Sequence, residues 1–126
     1  MNDVKIGLKK LVLSKDSRDQ LLSRFPPKFA PNSKHVTLEF GPLSSNDDDV
    51  SSVTVVGYQS SSYLEVLVVE MNGSSTRRSD NKTLHITHSL KPGVPPVCSN
   101  DVLEEMLWHP ISPITVEVTP KTVNFN

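Results

Sequence analysis

The chain has 126 residues, with 13 basic and 14 acidic side chains and a formal net charge of -1. This length suits one modest domain, and we treat residues 1–126 as a single unit. The near balance of charge argues against a broad polycationic surface for tight, non-specific binding to duplex nucleic acid. Local basic residues are nevertheless enough for a nucleotide or an RNA end.

The N-terminal third of the chain predicts a strand, a helix and a second strand. Partly alternating apolar residues indicate a strand at 5–13, and residues 14–24 are typical of a short helix with Ser14 or Asp16 as its N-cap. Two consecutive prolines end that helix, since proline cannot continue a helical hydrogen-bond ladder. A second strand follows at 34–40.

The rest of the pattern is mostly β. We predict strands at 53–58, 63–71, 83–90 and 114–118, and a second helix at 99–107 that Ser99 would cap. The first two of these strands are joined by a short polar segment and form a hairpin. The total of about six strands and two helices predicts an α+β domain with a mostly antiparallel sheet.

One short pattern occurs twice on these predicted strands. Each copy places a histidine two residues before a threonine, as His35-Val36-Thr37 and His85-Ile86-Thr87. Since side chains alternate between the faces of a strand, each copy presents an imidazole and a hydroxyl on one surface and an aliphatic side chain to the core. Two such strands side by side would bring both histidines and both threonines into one cleft.

These groups suit acid–base chemistry on a phosphate ester. Histidine titrates near neutral pH, so one imidazole can be neutral and act as a base while the other is protonated and acts as an acid. Threonine hydroxyls can donate hydrogen bonds to the non-bridging phosphate oxygens. The sequence does not assign the two roles to His35 and His85.

No metal and no cofactor are expected for this chemistry. A metal site would need carboxylates or a third histidine at ligand spacing. The clustered acids Asp47, Asp48 and Asp49 lack the ligand pattern of a calcium loop and are interpreted as a solvated acidic turn.

The doubled motif resembles the two-histidine (2H) phosphoesterase superfamily, which includes RNA 2',3'-cyclic phosphodiesterases. The segment from Phe25 to Gly41 and the residues 96–100 also resemble RNA-repair-like branches of that superfamily. The resemblance implies a compact two-lobed fold, with pseudo-symmetric sheets on either side of a central cleft. It also implies that His35 and His85 are the acid–base pair, and that Thr37 and Thr87 hold the phosphate.

Substrate contacts outside the motifs are harder to predict. Tyr58 and Tyr63 flank the hairpin turn and are candidates for stacking on a base, while Arg77 in a polar loop is a candidate for binding an anionic ligand. Phe40 lies at an odd offset from His35, so we expect it on the opposite face of its strand.

The resulting hypothesis is a metal-independent phosphodiesterase that acts on 2',3'-cyclic phosphate ends of RNA or nucleotides. A cyclic oligonucleotide signal, a 2'-5' oligoadenylate substrate, or a non-catalytic module that binds RNA ends remain alternatives. The single cysteine, Cys98, and the lack of a signal peptide or a membrane-length apolar run predict a cytoplasmic or nuclear protein with no membrane partner. We expect a monomer.

Overall fold

The computed structural model describes residues 4–45 and 49–125 of the chain. The described elements, in chain order, are β1 (Ile6–Leu13), α1 (Lys15–Arg24), β2 (Ala30–Pro31), β3 (His35–Pro42), β4 (Ser52–Ser60), β5 (Leu64–Glu70), β6 (His85–Leu90), α2 (Cys98–Glu105) and β7 (His109–Asn124). The α+β class with a mostly antiparallel sheet and two helices is therefore confirmed. Asp47 and Asp48 of the predicted acidic turn lie outside the described residues.

The sheet curls into a closed barrel. Its described strands follow the order β2-β6-β3-β1-β7-β4-β5, and an additional pairing between β6 and β5 closes six of them into a ring. All of the observed pairings are antiparallel. Closure gives each of the ring strands two neighbouring strands, one on each side.

The main hydrophobic core fills the barrel. Alternate residues of the strands point inward and are fully or nearly fully buried, including Leu11, Val36, Val55, Ile86 and Val116. A smaller cluster lies outside the barrel, where Val102 of α2 packs against Leu64 and Val66 of β5. Strand β5 is consequently buried on both faces, and its continuous apolar sequence reflects this.

Local signals explain the helices. Ser14 accepts a hydrogen bond from the Ser17 backbone N–H and caps α1, as predicted. Helix α2 begins at Cys98 after Val97, which makes no side-chain capping bond, so the prediction that Ser99 is the cap is wrong. No described helix is long and apolar enough to cross a membrane.

Strand β7 is much longer than the predicted 114–118. Its first half pairs only with β4 and its second half only with β1, with the change of partner at Glu117 and Val118. Among the described strands, each half of β7 therefore has one side without a partner, where a proline can lie without removing a ladder hydrogen bond. The three prolines of this segment argue against a long strand when the sequence alone is considered, so the full length of β7 was not predicted.

A β-bulge in β3 changes which way its side chains point. In the pairing of β1 with β3, Lys9 lies opposite Glu39 but Lys10 lies opposite Thr37, so Leu38 is the extra residue. The bulged backbone is held from outside the sheet, because the Ser79 hydroxyl donates to the Leu38 carbonyl at 2.8 Å. Beyond this bulge, the alternation of faces along β3 is shifted by one residue.

Candidate functional site

The two motifs lie side by side on neighbouring strands. Val36 of β3 and Ile86 of β6 are direct partners in the antiparallel pairing, and both side chains are buried in the barrel. Extending that register by one residue in each direction places His35 opposite Thr87 and Thr37 opposite His85. The four polar side chains thus share the outer face of the barrel, related by a local two-fold axis through the Val36–Ile86 pair.

These four side chains line one cavity of about 720 Å³. That volume falls within the range of roughly 300–1,000 Å³ found for small-molecule sites. Beside the motif residues, the polar part of the wall includes Asn32, Arg77, Ser79, Asp80, Lys82 and Asn100. The apolar part is formed by Leu8, Phe40, Pro42, Pro96 and Val97. The sequence hypothesis that the two histidines and two threonines meet in one cleft agrees with this geometry.

His35 is half-buried at the start of β3. Burial lowers its pKa below the ordinary value of 6.5, and the positive charges of Lys10 and Lys34 and the neighbouring His85 lower it further. The neutral imidazole is therefore favoured in the ligand-free protein. A bound anion would counteract these effects and favour the protonated form.

The second histidine is more deeply buried, and its tautomer is fixed. The His85 Nδ1 atom lies 2.8 Å from the carbonyl oxygen of Thr83. Because a carbonyl oxygen can only accept, Nδ1 carries a proton and donates it, which leaves Nε2 of the neutral ring unprotonated. Burial lowers the pKa of His85, against the effect of the Thr83 carbonyl, and the nearby Arg77 cation also lowers it.

The motif threonines are connected to the surrounding structure in different ways. The Thr87 hydroxyl lies 2.8 Å from the hydroxyl of Ser99, which is fully buried in the first turn of α2. Ser99 therefore orients a motif hydroxyl rather than capping the helix. The Thr37 carbonyl lies 3.5 Å from a guanidinium nitrogen of Arg77. No sequence pattern indicated these connections, because they depend on how α2 and residues 71–84 fold over the sheet.

Arg77 lines the cavity but is not a solvated loop cation. Its guanidinium donates to both carboxylate oxygens of Asp80, at 2.9 Å and 2.7 Å, and lies 3.4 Å from the side-chain oxygen of Asn100. Only 7% of Arg77 is exposed. The donated bonds hold the pKa of the Asp80 carboxyl below its usual value. Arg77 thus contributes a fixed positive group close to Thr37 and His85.

The structure does not bring the two predicted tyrosines to the cavity. Tyr58 is half-buried, stacks on Phe25 with ring centroids 5.7 Å apart, and donates its hydroxyl to Glu65. Burial, followed by this hydrogen bond, raises the pKa of Tyr58 to about 12. Tyr63 packs against the small cluster between β5 and α2. Neither residue is among those that line the cavity.

Phe40 is the aromatic residue that the structure places there instead. The expectation that it faces away from His35 is wrong, because the Leu38 bulge shifts the alternation of faces along β3. Phe40 is 73% exposed, and its ring meets that of Phe125 edge-to-face, with centroids 5.8 Å apart. An exposed phenylalanine that lines the cavity offers a ring face to a ligand.

The remaining histidines lie outside the cavity. His88 is fully buried, and its two ring nitrogens bond to the Ser33 hydroxyl at 2.6 Å and the Phe25 carbonyl at 2.7 Å. His109 is exposed on β7. Within residues 4–45 and 49–125, no group of three or more His, Cys, Asp or Glu side chains is arranged to hold a metal ion.

Comparisons with protein-family models, with curated proteins and with solved structures found no match to this chain.

Proposed function

We propose that this protein is a metal-independent phosphodiesterase that opens 2',3'-cyclic phosphates at RNA ends or on nucleotides. The observation that carries the proposal is the pairing of Val36 with Ile86, which presents both His-x-Thr motifs to one cavity. Two imidazoles and two hydroxyls on one surface can supply a base, an acid and phosphate donors together.

In the proposed reaction, one histidine removes a proton from a water molecule as the water oxygen attacks phosphorus. A new P–O bond forms, and the P–O bond to the ribose 2' or 3' oxygen breaks. The second histidine gives its proton to that leaving oxygen, and the product is a phosphomonoester. The unprotonated Nε2 of neutral His85 suits the role of base, and a substrate anion beside His35 would favour protonation of that ring.

The threonines and Arg77 would stabilise the charge on the non-bridging oxygens. Thr37 and Thr87 lie on the same face as the histidines and can each donate one hydroxyl hydrogen bond. Arg77 is held rigidly by the Asp80 carboxylate, which partly offsets its charge, so its guanidinium would need no rearrangement to donate to a phosphate oxygen.

The local two-fold relation supports the two-lobed arrangement implied by the resemblance to the 2H superfamily. In this proposal, β3 with its neighbour β1 and β6 with its neighbour β5 are the symmetry-related halves on either side of the site. All residues of the proposed site come from one chain, so we propose that a monomer is active.

The test is hydrolysis of 2',3'-cyclic AMP and of a short RNA with a 2',3'-cyclic phosphate, in the presence of EDTA. Wild-type protein should turn over at least one of them, whereas the variants His35→Ala and His85→Ala should not. Thr37→Ala and Thr87→Ala should reduce the rate less than the histidine changes. Turnover that persists in both histidine variants would refute the mechanism. Binding of the nucleotide without turnover by the wild type would favour the non-catalytic module.

A further inference from the structure

The wall of the cavity formed by β3 continues onto the neighbouring strands. In the pairing of β1 with β3, Leu8 lies opposite Phe40 and Lys10 lies opposite Thr37. Partners in an antiparallel pair point to the same face of the sheet. The side chains of Leu8 and Lys10 therefore lie on the outer face of the barrel, beside the cavity residues Phe40 and Thr37 with which they pair.

The same rows extend one strand further, onto β7. Leu8 also lies opposite Val123, and Lys10 lies opposite Lys121. Two parallel rows therefore cross three strands, and each starts at the cavity. The apolar row contains Phe40, Leu8 and Val123, and the basic row contains Thr37, Lys10 and Lys121. We call these six positions, together with Phe125, the β3–β1–β7 outer face.

The end of the apolar row carries a second aromatic ring. Phe125 lies two residues after Val123 and so on the same face, is 52% exposed, and contacts the Phe40 ring edge-to-face. Within the described part of the chain, neither Lys10 nor Lys121 has a carboxylate within salt-bridge distance. Adjacent strands are about 4.8 Å apart, so the path from β3 to β7 covers roughly 10 Å.

A basic row beside a row with exposed aromatic rings is the arrangement that proteins use to bind single-stranded nucleic acid. The lysines neutralise backbone phosphates, and the aromatic rings stack on successive bases. A mononucleotide in the cavity would leave the part of this outer face beyond the cavity, at Lys121, Val123 and Phe125, uncovered, whereas a polynucleotide end would continue along it.

We propose that the β3–β1–β7 outer face binds the nucleotides next to the terminal phosphate, so that the substrate is an RNA strand end rather than a free cyclic mononucleotide. This inference deepens the proposed function and rests on it for the position of the terminal phosphate. It adds Lys121 and Phe125, which are outside the cavity, as residues that determine substrate length.

The experiment compares the affinities of 3'-AMP and of an RNA pentamer with a 3'-phosphate, which lack the cyclic ester and are therefore not consumed. Wild-type protein should bind the pentamer at least about tenfold more tightly than 3'-AMP. Phe125→Ala should weaken pentamer binding by about fivefold or more, the effect of losing one stacked base. Lys121→Ala should lower the slope of log affinity against log salt by about 0.7, the value for one phosphate contact on a single strand.

Both variants should leave the affinity for 3'-AMP unchanged, and Lys15→Ala is the matched control because Lys15 is an exposed lysine on α1. Equal binding of pentamer and mononucleotide, failure of both to bind, or an equal effect of Lys121→Ala and Lys15→Ala would each overturn the proposal. Hydrolysis of 2',3'-cyclic AMP is measured separately. Binding of the pentamer through Lys121 and Phe125 without hydrolysis of any substrate would support RNA binding by the β3–β1–β7 outer face and refute the enzymatic function.

Discussion

Replacing His85 by asparagine separates the structural role of this side chain from its chemical role. The asparagine amide nitrogen can occupy the position of Nδ1 and still donate to the Thr83 carbonyl, 2.8 Å away in the wild type. Asparagine has no counterpart of Nε2, the atom that can accept a proton in the cavity. His85→Asn therefore keeps the buried hydrogen bond and removes the proposed base.

The expected loss of activity is large and the expected loss of stability is small. Removing a general acid or base typically lowers the rate by about 10²–10⁴-fold, or roughly 3–5 kcal/mol of transition-state stabilisation. Losing part of a buried ring while keeping its hydrogen bond should lower the unfolding free energy by only about 1 kcal/mol. For a domain of this size that corresponds to a decrease in Tm of roughly 4 °C.

The assay is kcat/KM for hydrolysis of a cyclic phosphate end, with thermal unfolding monitored on the same preparations. His109→Asn is the matched control, because His109 is exposed and outside the cavity, and it should retain wild-type activity. A folded His85→Asn protein with activity within tenfold of the wild type would refute the assignment of His85 as the base.

Four further predictions concern pH, a residue that supports the site and a buried carboxylate. Burial lowers the pKa of both His35 and His85 below 6.5, and catalysis requires one ring to be protonated while the other is neutral. The profile of kcat/KM against pH should therefore have its maximum below pH 6.5, and a maximum above pH 7 would contradict this. The same shifts mean that the neutral histidines stabilise the fold above pH 6.5 and that this contribution is lost on acidification, which urea titrations at several pH values would detect. Ser99→Ala should remove the hydrogen bond that orients the Thr87 hydroxyl, which is worth about 0.5–1.5 kcal/mol, and so lower kcat/KM by roughly 3- to 10-fold. Ser99→Thr keeps a hydroxyl at this position and should recover the activity. Glu65→Gln should lower the unfolding free energy at pH 7 by about 1.5–3 kcal/mol. The difference in unfolding free energy between wild type and variant should shrink below pH 4.5, as the wild-type carboxylate becomes protonated. A difference that stays constant with pH in urea denaturation would contradict this.

The last of these predictions rests on a buried hydrogen-bond network around Glu65. Burial alone would raise the pKa of Glu65, but its carboxylate accepts hydrogen bonds from Ser89, Tyr58 and the Lys28 backbone N–H, and the net effect is a lowered pKa. A carboxyl whose pKa is lowered on folding stabilises the native state above its unfolded pKa and loses this effect as pH falls.

The motif residues were predictable from the sequence because they depend on strand alternation alone. His35 and Thr37, and likewise His85 and Thr87, lie two residues apart on regular strand, and a period of two fixes their common face. That their strands are neighbours was a hypothesis, and the pairing of Val36 with Ile86 agrees with it.

The aromatic residue at the cavity could not be identified in this way. The Leu38 bulge reverses the face on which Phe40 lies, and a bulge has no period that a sequence pattern reveals. Tyr58 was expected to be exposed because it borders a turn, but β4 continues to Ser60 and carries this side chain onto Phe25. Tertiary contacts determined both outcomes.

The pairing of β3 with β6 also bears on how a ligand and the fold influence each other. These two strands are joined at one paired position, whereas each of the other pairs of neighbouring strands in the ring has five or more. The strand pairing with the fewest paired positions in the barrel therefore lies directly beneath the site. Local opening there should require less free energy than global unfolding, and the amides around Val36 and Ile86 should exchange hydrogen early. A phosphate that accepts hydrogen bonds from Thr37 on β3 and Thr87 on β6 would link the two strands and stabilise their pairing. Ligand binding would then slow the exchange of these amides and raise the melting temperature of the whole barrel.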